Sequence, residues 1–205
     1  MCNPILLLLM ESLEIIILAA GNSSRLGQPK QLVVYQGKTL IEHIVSNALQ
    51  VSPHVTVVLG SHAKRIEWTL NQAQLFPKIV YNTDWEQGMG TSIKAGVSSL
   101  TNKQAPIMIL LSDQPAVKTS LLWQMIHLYQ EKNPEIVACD YGGKLGVPML
   151  FSPQVRHELL ILSGDQGARS FLSYYRDTTL TVPFALGTWD IDTPEDMAEL
   201  MRKKN

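Results

Sequence analysis

Ile15-Ile-Ile-Leu-Ala-Ala-Gly-Asn-Ser-Ser-Arg-Leu-Gly-Gln-Pro-Lys30 is the stretch on which the fold assignment turns. Its first four residues are an unbroken apolar run, the pattern of a strand buried on both faces of a parallel sheet. A glycine-bearing turn from Ala19 to Lys30 follows. Gly21 and Gly27 let the backbone run close to a ligand, and the N–H groups beside them can converge on an anion. Arg25 offers a planar fork and Lys30 a compact charge, both suited to phosphate oxygens. Five residues separate the two glycines and Gln28 follows the second, which matches neither the P-loop nor the dinucleotide fingerprint. Glycine and serine alone would fit a polar surface turn. The two added cations favour a loop that wraps a triphosphate.

Working outward, short β-rich runs alternate with segments of helical spacing, as in repeated βα units around a parallel sheet. Leu40, Ile44, Val45 and Ala48 share one stripe of a helix over Thr39 to Leu49. Strands are predicted at Val55 to Leu59, Ile79 to Tyr81, Ile107 to Leu111 and Glu135 to Cys139, with helices at Ala63 to Gln74, Thr91 to Leu100 and Thr119 to Lys132. Beyond these the alternation loosens. Gly142, Gly143, Gly146 and Pro148 punctuate a turn-rich stretch, and Ala168 to Tyr175 has helical spacing. Strands near Thr179 to Val182 and Trp189 to Ile191 precede a closing helix with Pro194 at its first position.

Composition narrows the function. The 205 residues are 45% hydrophobic and 17% charged, sufficient for one well-cored α/β domain and unlike a disordered chain. A net charge of −1 removes the electrostatic case for a general nucleic-acid binder and leaves a small anionic substrate open. Cys2 and Cys139 lie far apart without ligand spacing, against both a disulfide framework and a zinc site and in keeping with a reducing cytoplasm. His43, His54, His62, His127 and His157 are scattered singly. The apolar run Pro4 to Met10 lacks a basic lead, a small-residue cleavage site and the length to span a bilayer. Residues 1–12 therefore read as an N-terminal extension, with Met10 a candidate start, and 13–205 as one domain with no membrane segment.

Two carboxylates stand out. Asp113 follows the Ile107 to Leu111 strand and precedes Pro115, at a strand's carboxyl end, where open α/β sheets bind ligands. Asp192 sits after the Trp189 to Ile191 run, ahead of Thr193-Pro194. Either would also serve as a helix cap. Together they suit Mg²⁺, which takes one or two carboxylates plus phosphates and waters. Gly88-Met-Gly90 before Thr91-Ser92 places a helix N-terminus where it can face an anion, or forms a simple turn and cap. Gly164-Asp-Gln-Gly-Ala-Arg169 reads as an acceptor-side loop or as a solvated turn with a local Asp165–Arg169 ion pair.

Leu18-Ala-Ala-Gly-Asn-Ser-Ser-Arg-Leu-Gly-Gln-Pro-Lys30 resembles the Leu-Ala-Ala-Gly-x-Ser-x-Arg-x-Gly-x-x-Lys signature of the MobA-like nucleotidyltransferases, in the branch that contains molybdenum cofactor cytidylyltransferase. Later blocks follow in the expected order: Trp85 to Ser92, Ser112 to Pro115, Gly146-Val-Pro148, Gly164 to Arg169 and Asp190 to Asp196. The resemblance implies a single-domain Rossmann-like nucleotidyltransferase fold, with a mostly parallel sheet flanked by helices. It implies nucleotide contacts by Leu18, Ala19, Ala20, Gly21, Ser23, Arg25, Lys30, Gly88 and Ser92, and catalytic roles for Arg25, Lys30 and Asp113. Asp113 and Asp192 would bind Mg²⁺, with Asp190 the substitute, and Gly146, Pro148, Asp165 and Arg169 would face the acceptor. CTP is favoured, because the GTP-using branch has Leu-Ala-Gly-Gly where this chain carries Ala20. The implied acceptor is a phosphorylated pterin, molybdopterin or molybdenum cofactor, and the implied partner a molybdoenzyme or its chaperone. Sugar-phosphate or polyol-phosphate nucleotidyl transfer, a noncatalytic molybdenum-cofactor carrier and an oxidoreductase of the same architecture are the alternatives.

Overall fold

A computed structural model of the chain describes residues 12–24, 26–188 and 196. The predictions for Arg25, for the Trp189 to Ile191 strand, for the Pro194 helix, for Asp190 and Asp192 and for residues 1–11 lie outside the described residues. Nine strands are found among those described: β1 (Glu14–Ala19), β2 (Val34–Tyr35), β3 (Lys38–Thr39), β4 (His54–Leu59), β5 (Lys78–Tyr81), β6 (Ile107–Leu111), β7 (Ile136–Asp140), β8 (Leu145–Phe151) and β9 (Thr179–Pro183). The helices are α1 (Leu40–Leu49), α2 (Ala63–Gln72), α3 (Met89–Ser98), α4 (Thr119–Lys132) and α5 (Arg156–Ile161).

Seven strands form one sheet in the order β5-β4-β1-β6-β8-β7-β9, and β2 and β3 make a separate hairpin. Within the seven-stranded sheet every pairing is parallel except those of β8, which runs against both β6 and β7. The apolar runs sort by the two-residue period of a strand. Ile15 and Ile17 of β1 join Val57 of β4 and Leu110 of β6 in a core covered by α1, α2 and α4. Ile16 and Leu18 turn to the opposite core with Ile109, against Ile93 and Val97 of α3 and Leu159 of α5. Each such aliphatic side chain contributes about 1.5–3 kcal/mol by burial. A capping box starts α1: Thr39 Oγ1 accepts from the Glu42 N–H and Glu42 Oε2 accepts from the Thr39 N–H, worth about 1 kcal/mol.

This order places the site. From β1 the chain moves one way to β4 and β5, while β6 pairs on the other side, so the direction switches between β1 and β6. A crevice opens at the carboxyl ends of strands at such a point. The loop after β1 and Ser112-Asp113 after β6 flank it, tied by the Ser112 N–H to the Leu18 carbonyl at 3.3 Å.

Three predicted elements need correction. The stretch from Gly142 to Pro148 is a turn only at its start, and Leu145–Phe151 is a buried strand. Register shifts between Ala138, opposite Met149, and Cys139, opposite Gly146. Val147 and Pro148 therefore fall in a bulge where proline's missing N–H leaves no ladder bond unmade. The Ala168 to Tyr175 segment is not an α-helix: turns lead into a 3-10 stretch at Leu172–Thr178 with a kink at Tyr175. The helix predicted from Thr91 begins two residues earlier, at Met89.

Candidate functional site

Two adjoining clefts open at the switch point. The first, about 390 Å³, is walled by the loop after β1, the end of β6 and the N-terminus of α3. The second, about 490 Å³, lies between the Ser163–Ser170 segment and the β7–β8 turn. Met89, Leu111 and Asp165 line both and form the partition.

Lys30 and Asp113 meet in the first cleft. The Lys30 ammonium donates to Asp113 Oδ2, joining the loop after β1 to the end of β6 across 83 residues of chain. Asp113 is 6% exposed and its Oδ1, also buried, has no hydrogen-bond partner among the described residues. A buried carboxylate oxygen left unpaired is costly. It is also the hard oxygen donor that a divalent cation takes, so the donor chemistry at Asp113 fits a metal. The remaining charges support this. Among the described lining residues Glu86, Asp113 and Asp165 are acidic and Lys30 alone is basic, so a polyphosphate entering this cleft would meet net negative charge without an added cation. Among the described residues no group of three or more His, Cys, Asp or Glu is arranged around one point; Asp192, the other candidate ligand, lies outside them.

The loop has a defined shape. Ser23, in the left-handed region at φ 54°, accepts from the Lys30 N–H on Oγ at 3.0 Å. This serine braces the loop and is not among the residues lining the cleft. Leu18, Ala20, Gly21, Lys30, Gly88 and Ser92 do line it, whereas Ala19 lies behind. Ser92 is buried, and its Oγ accepts from Asn82 Nδ2 at 3.0 Å. It is thus held as part of a packed polar cluster rather than as a helix cap. Gly88 sits at φ 112° with Gly164 and Asp165 filling the space a Cβ would need, and the Gly90 N–H donates to the Gly164 carbonyl at 2.9 Å. The glycine blocks Gly88-Met-Gly90 and Gly164 to Arg169 are therefore in contact.

In the second cleft Gly146, Asp165 and Arg169 line the wall, while buried Pro148 lies one residue beyond it. Asp165 and Arg169 form no ion pair with each other, because the turn between them is not the helix on which an i, i+4 pair would meet. Tyr141 and Gln114, which the sequence did not single out, form the floor. The Tyr141 hydroxyl donates to the Val147 carbonyl, and Gln114 Nε2 donates to Tyr141 Oη at 3.2 Å. The Tyr141 ring packs against Gly146 and Gly187, where any Cβ would overlap it. Gln31, which no motif marks, and Trp85, which opens the Trp85 to Ser92 block without an assigned role, also line the first cleft. No His lines either cleft among the described residues.

Cys139 is not part of this chemistry. It is fully buried, 3.8 Å from Met125 Sδ, and burial pushes its thiol up to about 12. At pH 8 roughly one molecule in ten thousand would carry the thiolate. Mass spectrometry after iodoacetamide treatment of the native protein should find Cys139 unmodified, with labelling only after denaturation; rapid native labelling would contradict its burial.

The profile of the MobA-like NTP transferase domain matches residues 15–179. Nicotine blue oxidoreductase of Paenarthrobacter nicotinovorans is 32% identical over 200 residues, spanning 91% of this chain and 95% of that protein. Molybdenum cofactor cytidylyltransferase of Escherichia coli (strain K12) is 27% identical over 188 residues, spanning 91% and 94%. Among solved structures, Rv0371c from Mycobacterium tuberculosis H37Rv superposes with a TM-score of 0.80 at 28% identity, covering 94% of this chain and 98% of that one. A second structure of Rv0371c is a complex with manganese, with a TM-score of 0.75 at 25% identity and coverage of 93% and 98%.

Proposed function

We propose that this chain, which belongs to the MobA-like NTP transferase family, transfers CMP from CTP to a phosphorylated pterin, molybdopterin or molybdenum cofactor, and releases pyrophosphate. The observation that carries the reading is the Lys30–Asp113 pair, which joins an amide-lined loop to a strand-end carboxylate inside one cleft. The first cleft takes the nucleotide, with Arg25 and Lys30 on its phosphates and Gly88 and Ser92 toward base or ribose. The second takes the acceptor, with Arg169 placed for its phosphate and Tyr141 offering an aromatic face.

In the reaction an acceptor phosphate oxygen forms a bond to the α-phosphorus. The bond from that phosphorus to the β-bridging oxygen breaks, and pyrophosphate leaves with the electron pair. An acceptor phosphate with a second pKa near 6 is already mostly ionised at neutral pH, so no side chain has to act as a strong base. Catalysis then rests on positioning and on charge neutralisation by Lys30 and Arg25. Asp113, together with Asp192, would hold Mg²⁺, which supplies further neutralisation of the phosphate oxygens when bound. The manganese complex of Rv0371c supports a divalent metal without choosing between ions. Ala20 is among the residues lining the cleft; a difference of one methyl is worth about 1–3 kcal/mol of base discrimination.

The similarity to nicotine blue oxidoreductase gives a second reading, although the loop from Gly21 to Gly27 lacks the dinucleotide spacing. Among the described residues no helix is long and apolar enough to cross a membrane, in keeping with a cytoplasmic enzyme. One assay separates the readings: pyrophosphate release with each of four nucleoside triphosphates against a panel of phosphorylated acceptors, with NAD(P)H absorbance followed in parallel. Release with CTP and a phosphorylated pterin is expected. No release from any pair would leave a carrier, and consumption of NAD(P)H would leave an oxidoreductase.

A further inference from the structure

Gln31 has no part in the chemistry above, yet it is among the most buried polar residues described, 1% exposed at the back of the nucleotide cleft. It follows Lys30 in the 3-10 turn Lys30–Leu32. Its Nε2 donates to two carbonyls of the first loop, Ala19 at 3.3 Å and Gly21 at 3.1 Å. The carbonyl between them, Ala20, accepts from the Ser61 N–H at 3.0 Å. Three successive peptide oxygens are therefore fixed by donors from outside the loop.

In a planar trans peptide the N–H points opposite to the C=O. Anchoring the oxygens of Ala19, Ala20 and Gly21 thus sets the directions of the N–H groups of Ala20, Gly21 and Asn22, the three consecutive residues by which the loop lines the cleft. Such an arrangement forms an anion-binding concavity only while each peptide keeps its orientation.

We propose that Gln31 is a positioning residue for the nucleotide: its side-chain amide, by holding the Ala19 and Gly21 carbonyls, aims the loop N–H groups at the bound polyphosphate. This rests on the nucleotide-transfer reading of the same cleft. A glutamine is suited to the task because one NH₂ group reaches both carbonyls. Methionine has similar length and no donor, and glutamate keeps the shape but at neutral pH sets a carboxylate against two carbonyl oxygens.

The test is titration calorimetry of the full chain with CTP and Mg²⁺, on wild type, Gln31→Met and Gln31→Glu, at pH 8 and pH 5.5, with melting temperatures measured alongside. At pH 8 both variants are expected to bind about tenfold more weakly than wild type, the scale of one or two lost hydrogen bonds. At pH 5.5 the glutamate variant should recover to within about threefold of wild type as its buried carboxyl gains a proton and again donates. The methionine variant should keep its full deficit. A purely structural contribution would make affinity follow melting temperature in both variants at both pH values, whereas the positioning role predicts losses of affinity larger than the melting temperatures account for. Equal deficits at both pH values, or binding by Gln31→Met within twofold of wild type, would overturn the proposal and leave the nucleotide reading intact. Wild-type protein that binds no nucleoside triphosphate would overturn both.

Discussion

Lys30→Ala is expected to lower nucleotidyl transfer by about a hundredfold or more, the scale seen when one preorganised charge donor is removed. Two effects overlap in that substitution, and the geometry allows them to be told apart. Lys30 and Asp113 are 20% and 9% exposed at their side chains, so removing the ammonium strands a largely buried carboxylate with neither oxygen satisfied by a described residue. Breaking such a pair from one side costs more than removing both partners. The melting temperature of Lys30→Ala should therefore fall, and that of the double variant Lys30→Ala with Asp113→Asn should recover toward wild type, a non-additive result expected of residues in contact. Activity should behave in the opposite way: the double variant remains as slow as the slower single variant, because the ammonium and the carboxylate charge are both gone. Melting curves and pyrophosphate release on the four proteins complete the cycle. Turnover by folded Lys30→Ala at the wild-type rate would remove this residue from the mechanism.

The sequence made every strand of the seven-stranded sheet legible except β8, for physical reasons tied to particular residues. Strands β1, β4 and β6 are buried on both faces, so their aliphatic runs are continuous, and α4 was bounded correctly at Thr119 and Lys132. Strand β8 was hidden because Gly146 and Pro148 are turn formers in local terms. Their presence is explained by tertiary contacts, a ring packed on Gly146 and a bulge that needs no N–H from Pro148. Apolar spacing from Ala168 to Tyr175 suggested a helix; Ala168 and Phe171 are buried in the α3–α5 core, but from a chain of turns. In the site, charged and glycine-rich motifs marked Lys30, Asp113 and Gly88. A lone glutamine or tyrosine carries no such pattern, so Gln31 and Tyr141 became evident only through partners distant in sequence: Gln31 through Ala19 and Gly21, Tyr141 through Gly187.

Gly88→Ala should be the most damaging single-methyl change at the site, since backbone strain and collision act together there. A Cβ at residue 88 would lie 2.4 Å from the Gly164 carbonyl carbon and oxygen and 2.6 Å from Asp165 Oδ1. Its φ of 112° falls where L side chains are strained, a cost of about 1–3 kcal/mol, and an overpacked methyl adds about 1–3 kcal/mol more. Flexible side chains cannot absorb the overlap, because two of the three atoms met are backbone. Either the N-terminus of α3 or the Gly164 turn must move, and these carry Ser92 in the wall of the first cleft and Asp165 on the partition. A displacement near 1 Å commonly costs about a hundredfold in rate, and that loss is expected here, together with a lower melting temperature. Gly142→Ala supplies the comparison: its φ is 88°, but a Cβ there meets nothing within 4 Å. It should lose stability from strain alone while transferring nucleotide at close to the wild-type rate. Equal activity losses in the two variants, measured by pyrophosphate release at saturating CTP, would mean that contact between the two glycine blocks does not set the reacting geometry.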